Sequence, residues 1–169
     1  MVTERDVSDT NASAIRETVL HIITNPRVYS RLQREIDDTV CLGHAPSVGE
    51  GLVAATQARN LPYLQAVIRE ALEKIYGKDA DDFRPERWLE SDPAKLAFMV
   101  RTNNLTFGHS RFQCLGKAVA KIEITKAVFE LLRNFDLTLV NPTRPRNYLE
   151  CFAISNLWVQ VMDRTPCSP

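Results

Sequence analysis

The sequence predicts a mainly α-helical fold that ends in a small β hairpin or sheet. Two observations carry that reading. Apolar residues recur at helical spacing through most of the chain, and their period shortens to two from Leu137 onward. Proline, asparagine and glycine punctuate the pattern where helices should start or stop.

The first helix carries Ile15, Val19, Ile22 and Ile23 on one face, follows a run of capping residues (Ser8, Asp9, Thr10, Asn11, Ser13) and stops at Asn25-Pro26. Pro26 suits the first position of a second helix with the stripe Val28, Leu32 and Ile36. Residues 40–53 read as a loop. A third helix starts near Pro62, with Asn60 as its cap and Leu64, Val67, Ile68, Leu72 and Ile75 on one face, and Gly77 ends it. Residues 78–104 show little periodicity, which in a compact domain marks a functional loop, with one short helix after Asp92-Pro93. The longest helix follows Gly116 and turns Val119, Ile122, Phe129 and Leu132 to the core. Beyond it Leu137–Val140, Tyr148–Ile154 and Leu157–Met162 read as strands, and Ser155-Asn156 turns the last two into a hairpin. Residues 1–163 are expected to form one domain, with a tail at 164–169.

At 169 residues, 44% hydrophobic and 25% charged, the chain suits one globular core and is neither disordered nor collagen-like in composition. Its 21 Lys and Arg balance its 21 Asp and Glu, so no net field draws it to nucleic acid or anionic lipid. Cys41, Cys114, Cys151 and Cys167 form no C-x-x-C pair, which argues against a zinc knuckle or a disulfide scaffold and for a reducing compartment. No apolar run reaches membrane-spanning length, and the first ten residues mix both charge signs, so neither anchor nor signal is expected.

Chemistry concentrates in Phe107 to Gly116, FGHSRFQCLG, where the lone Cys114 sits between a glycine-containing loop and the start of a long helix. Helix-start amides and the positive end of the helix dipole favour thiolate over thiol, and a stabilised thiolate is a metal ligand or a nucleophile.

Phe107, Gly108, Cys114 and Gly116 make this stretch resemble the haem-binding signature F-x-x-G-x-R-x-C-x-G of the cytochrome P-450 monooxygenases. Ser110 stands where that pattern has Gly, and Phe112 where it has Arg, a role the adjacent Arg111 would take over. The text QCLGK, with the following helix ending in ELLRNFDL, is most similar to filamentous-fungal members of the benzoate-hydroxylase and pisatin-demethylase type. DFRPERWLES (Asp82–Ser91) resembles the family's meander and LPYLQAVIREAL (Leu61–Leu72) its K helix, while Asp9-Thr10 falls where its central I helix carries an acid-alcohol pair. These motifs follow one another in family order along nearly the whole chain.

The resemblance implies a partial P-450 fold in which Cys114 is the axial thiolate ligand of haem iron. Phe107 would pack against the sulfur and the macrocycle, the amides of Leu115 and Gly116 would tune the sulfur, and Gly108 and Arg111 complete the cofactor-binding set. Thr10, with Asp9 behind it, would relay protons to bound dioxygen. Glu70 and Arg87 would form part of an ion pair beneath the haem. The implied partners are an NADPH-dependent P-450 reductase and a small organic substrate of aromatic type, with no nucleic acid. The implied location is the endoplasmic reticulum membrane, although this chain, lacking a span, is itself expected in the cytoplasm.

Two departures stand out. Glu73 occupies the place of the Arg in the family's E-x-x-R, and KIYGKDADDFRPERW follows at once where the family has several strands and a helix. An internal deletion between Leu72 and about Lys74 follows from this. Val7 replaces a Gly of the family's oxygen groove. The chain also begins midway through the I helix, so most of the substrate pocket is missing and the fragment is expected to be inactive. Competing readings remain: a non-catalytic fragment that binds haem poorly or only partner proteins, and a Cys-His acyl hydrolase built on Cys114 and His109. Individual residues have plainer readings too, with Cys114 as a buried structural cysteine, His109 as a surface residue, Asp9-Thr10 as a helix cap, and Glu70 and Arg87 as solvated charges.

Overall fold

A computed structural model describes residues 4–76, 82–90, 92–143, 147–150, 153–155 and 157–164. Their elements run α1 (Glu4–Ile23), α2 (Pro26–Cys41), α3 (Ala55–Arg59), α4 (Pro62–Tyr76), α5 (Arg87–Glu90), α6 (Pro93–Leu105), α7 (Lys117–Asn134), β1 (Phe135–Leu139), β2 (Asn147–Glu150), β3 (Ala153–Ser155) and β4 (Val159–Asp163). The mainly helical architecture with small antiparallel pairs agrees with the expected fold class.

One core forms where α1, α2, α4 and α7 meet, and Ile22, Leu32, Leu64, Ile124 and Phe129 lie at its centre. The stripe of α2 is as expected: Val28, Leu32 and Ile36 are completely buried. Each such side chain contributes about 1.5–3 kcal/mol by leaving water. In α4, Leu64, Val67, Ile68 and Leu72 are buried as expected. The α7 stripe is only half as expected. Phe129 and Leu132 are buried with Ala120, Ile124 and Val128, whereas Val119 is exposed and Ile122 half-buried.

Several elements differ from the sequence expectation, each for a physical reason. Helix α1 runs from Glu4, so Asp9 and Thr10 lie in its body and not at a cap. Interior Ser, Thr, Asn and Asp lose only about 0.7 kcal/mol or less each against good helix formers, which packing on α4 and α7 overrides. At twenty residues α1 also exceeds α7, which has eighteen. Asn60 closes α3, donating its N–H to Gln57 O at 3.1 Å, and does not cap α4. The cap of α4 comes from another helix: the Glu35 carboxylate in α2 accepts the N–H groups of Tyr63 and Leu64, both at 2.8 Å. Burial pushes the Glu35 carboxyl up, against the pull of those two donors.

Within residues 78–104 the short helix expected after Asp92-Pro93 is present as α6, thirteen residues long, while the irregular text before it conceals α5. Asp92 caps α6 by accepting from Ala94 N and Lys95 N at 3.0 Å each. This helix escapes a periodicity reading because Phe98 and Leu105 are exposed while Met99 and the polar Asn103 are buried. The strand pairing also differs. The stretch read as one strand, Tyr148–Ile154, contains β2 and β3 paired with each other, and β4 pairs with β1, Leu137 opposite Val161. Val159 packs on the core, and Arg164 just beyond β4 donates to both carboxylate oxygens of Asp37 (3.1 and 2.8 Å) and to Leu132 O (2.6 Å). Those contacts lock β4 beside the end of α7 and out of reach of a local hairpin. Gly77, Asn156 and residues 165–169 lie outside the described residues.

Glu86 ties three segments together, since its buried carboxylate accepts from Arg27, from Arg31 at 3.1 Å and from the Tyr63 hydroxyl at 3.0 Å. Arg31 also lies 4.3 Å over the Tyr63 ring. Burial pushes the Glu86 carboxyl up, but the hydrogen bonds from Arg27, a backbone N–H and Tyr63 outweigh it and hold the group below its ordinary value. A carboxyl depressed in the folded state adds stability above its ordinary pKa, and that stability is lost as pH falls through the folded value. Glu86→Gln should therefore be less stable at pH 7, by about 1.5–3 kcal/mol for the charged hydrogen bonds weakened. Its stability should change less than that of the unsubstituted chain between about pH 5 and pH 3, which urea melts at a series of pH values will show.

Candidate functional site

The stretch from Leu105 to Lys117 folds as a tight excursion between α6 and α7. Gly108 N donates to Leu105 O at 2.9 Å, a single 3-10 turn follows at Ser110–Phe112, and Cys114 N donates back to Phe107 O at 2.7 Å. Gly108 has φ +78, and a Cβ there would lie 2.3 Å from Phe112 O, so no other residue fits without moving backbone. Ser110 takes φ +53, the left-handed region that the family pattern gives to glycine. Gly116 caps α7 at φ −81, so its conformation does not require glycine, and a Cβ there would stand 3.8 Å from Cys114 Sγ.

Cys114 is exposed at the start of α7, which overturns the reading of a buried structural cysteine. Around it Leu115 is fully exposed, and Phe112 and Val119 are 75% and 56% exposed, an unusual gathering of apolar surface beside one thiol. The Arg111 guanidinium stacks 4.9 Å over the Phe112 ring, which keeps a cation at the edge of this surface. Phe107 is half-buried against the core, with the ammonium groups of Lys117 and Lys121 5.6 and 5.5 Å from its ring centre. His109 is exposed, and no hydrogen bond joins its ring to Cys114 among the described residues, so a Cys-His nucleophile pair is not assembled.

Behind the loop, Glu70 and Arg87 do pair, with Arg87 Nε 3.2 Å from Glu70 Oε2. They are not solvated charges. Glu70 is buried and also accepts Trp88 Nε1–H and the Arg84 N–H, each at 2.9 Å. Glu73 lies in α4. Thr10 is exposed in α1, and its neighbour Asn11 donates to Glu123 of α7 at 2.5 Å. Glu123 lies six residues beyond Lys117, the first residue of α7, about 9 Å of helical rise. For Asp9 only its place in α1 is described.

The sequence reading missed a basic cluster. Arg59, Arg69, Lys117 and Lys121 line a cleft of about 510 Å³ between α4 and α7, beside Cys114. The Lys117–Lys121 spacing along one helix face was the signal that could have found half of it.

The donor set at Cys114 fits haem. Among the described residues no three His, Cys, Asp or Glu side chains cluster to hold a bare ion, so a metal at this sulfur would bring its other ligands with it. A flat apolar macrocycle does so, and it would cover Phe112, Leu115 and Val119 while meeting the cation of Arg111.

Comparison with known proteins bears on the same residues. A family model described as Cytochrome P450 matches residues 7–74 and 73–157, two stretches that meet at Glu73-Lys74, where the internal deletion was inferred. The chain is 37% identical over 180 positions to the "Cytochrome P450 monooxygenase ABA1" of Pyricularia oryzae, an alignment covering 82% of this chain and 35% of that protein. Those 180 positions exceed the chain's own 169 residues, so part of the relative has no counterpart here. It is 29% identical to a "Pisatin demethylase" of Fusarium vanettenii, over 78% of this chain and 32% of that one. The crystal structure of a cytochrome P450, CYP102L1, superposes with a TM-score of 0.70 at 21% identity, over 92% of this chain and 42% of that chain. The chain thus spans about a third of the length of the curated relatives it matches.

Ser110 and Gly108 should respond oppositely to substitution. Ser110→Gly relieves a left-handed serine worth about 1–2 kcal/mol and loses up to about 1 kcal/mol to the freer unfolded chain, a net gain of about 0.5 kcal/mol. Gly108→Ala should lose about 2 kcal/mol or more through strain and backbone collision, and denaturant melts of the two variants will show the contrast. Motifs in family order, a family model matched along both stretches and a shared fold converge on one conclusion: this chain belongs to the cytochrome P450 family.

Proposed function

We propose that this chain is the haem-ligating portion of a haem-thiolate monooxygenase. The observation that carries this reading is the exposed Cys114 at the head of α7, held by the Phe107–Cys114 backbone bond in a chain that matches the family on both sides of it. Cys114 would hold haem iron through its sulfur, within a cradle of Phe107, Gly108, Arg111, Leu115 and Gly116. When bound, haem supplies the chemistry that inserts one oxygen atom of dioxygen into an organic substrate.

The chain's own residues prepare that site. The start of α7 presents the Cys114 sulfur to solvent beside Leu115. Phe112, Leu115 and Val119 would exclude water from the sulfur, and Arg111 would neutralise an acidic substituent at the ring edge. Thr10, with Asp9, would hold and pass a proton on the opposite face. The electron donor would be an NADPH-dependent reductase, the substrate a small organic molecule of aromatic type, and the location the endoplasmic reticulum membrane. No helix among the described residues is long and apolar enough to cross a membrane.

The chain by itself would not turn over. Glu73 puts an acid where the Glu70–Arg87 pair of the family has a second cation, and the relatives are about three times as long. A fragment that folds without holding haem stably is the alternative, favoured by the exposed Phe98, Leu105, Phe112 and Trp158.

Cys114→Ala should abolish the thiolate-type Soret band of the reduced, carbon monoxide-treated chain reconstituted with haem, while His109→Ala leaves it in place. A spectrum that survives the first change and is lost with the second would remove the assignment. With a competent reductase, NADPH oxidation should yield peroxide in place of oxygenated product, and Glu73→Arg alone should not restore product; coupled product formation by the purified chain would overturn the claim of inactivity.

A further inference from the structure

We propose that the basic cleft between α4 and the start of α7 binds a small molecule through a diphosphate group. This goes beyond the haem reading, because the cleft shares only Cys114 and Leu115 with the proposed cradle. Its volume of about 510 Å³ lies in the range of small-ligand sites. Four cations, Arg59, Arg69, Lys117 and Lys121, line it, and among the described residues no Asp or Glu does. Ile68 and Leu72 supply an apolar floor, and Gln65 and Gln113 supply amide groups.

Three of the cations lie against aromatic rings, and among the described residues none of the three is in an ion pair with an acid. Lys117 and Lys121 stand over the Phe107 ring, and Arg69 lies 5.9 Å from the Trp88 ring centre. An aromatic face attracts an ammonium or guanidinium group but leaves its charge available to an anion. Burial, then the charges of Lys117 and Arg69, push the Lys121 ammonium below its ordinary value. Three like charges converging on one partly enclosed space repel one another, and a multivalent anion relieves that repulsion while gaining charge-assisted hydrogen bonds. A diphosphate matches the arrangement better than a single carboxylate, since its oxygens can reach guanidinium forks and ammonium groups on both helices together.

Calorimetric titration of the full chain at low salt, with inorganic diphosphate and separately with ADP, tests this. The expected result is saturable one-to-one binding that Arg69→Gln combined with Lys121→Gln weakens at least about tenfold, whereas Lys95→Gln on α6 leaves it unchanged. Tighter binding of ADP would identify a nucleotide as the source of the group, and equal affinities the free diphosphate. Lys117→Gln at the start of α7 provides a second variant should the double substitution unfold the chain. Arg111→Gln, which alters the haem cradle outside the cleft, should leave diphosphate binding within about twofold, so the two readings fail separately. Absence of saturable binding to either probe, or equal affinity in the Lys117→Gln and Lys95→Gln variants, would overturn the proposal.

Discussion

Helix α4 is held by carboxylates that reach it from elsewhere or leave it for elsewhere, and the surroundings of Cys114 depend on where it sits. Glu35 of α2 caps its first turn, Glu86 accepts the Tyr63 hydroxyl, and its own Glu70 accepts Trp88, Arg84 and Arg87. A carboxylate taken out of water is tolerated only if its lone pairs are answered. Both oxygens of Glu35 and of Glu70 are answered in this way, Glu86 gathers its donors on Oε1, and residues 82–90 are drawn onto α4 although little regular structure holds them. With α4 placed, α7 packs against the shared core, and the loop that carries Cys114 is bounded on one side by each helix.

What was legible in the sequence followed from how local its signal was. The stripes of α2 and α4 could be read because nearly every apolar residue on those faces is buried. Helix α6 was readable at its start, from Asp92-Pro93, but not in its length, since Phe98 and Leu105 face solvent and a buried polar residue, Asn103, donates to Arg69 O at 3.0 Å. The five-residue α3 is too short to show a period. Strand pairing failed for a different reason: β4 pairs with β1 across more than twenty residues, and adjacency in sequence carries no information about a partner that distant. The cysteine loop was readable because its chemistry demands particular residue types at particular spacings. The place of the missing family segment was readable because motifs kept their order while one interval collapsed, and the family match divides at the same point.

Electrostatics shows the limit of composition most plainly. The chain has equal numbers of cationic and anionic residues, yet four cations share one cleft while acids gather inside the helix contacts as hydrogen-bond acceptors. Zero net charge thus describes the far field alone. A ligand a few ångströms from Lys121 meets a strongly positive surface that no sum over residues reveals.

Arg164 has a consequence for the order in which the chain can be built. It bonds Asp37 across a separation of 127 residues and the Leu132 carbonyl at the end of α7, and it fixes the strand that closes the core beside β1. During synthesis the helices emerge with their apolar faces uncovered, and this closing strand follows them out of the ribosome. Folding of this unit is therefore completed only once β4 has emerged, and the interval in which Leu137 and its neighbours wait for it is the period when chaperones have most to protect.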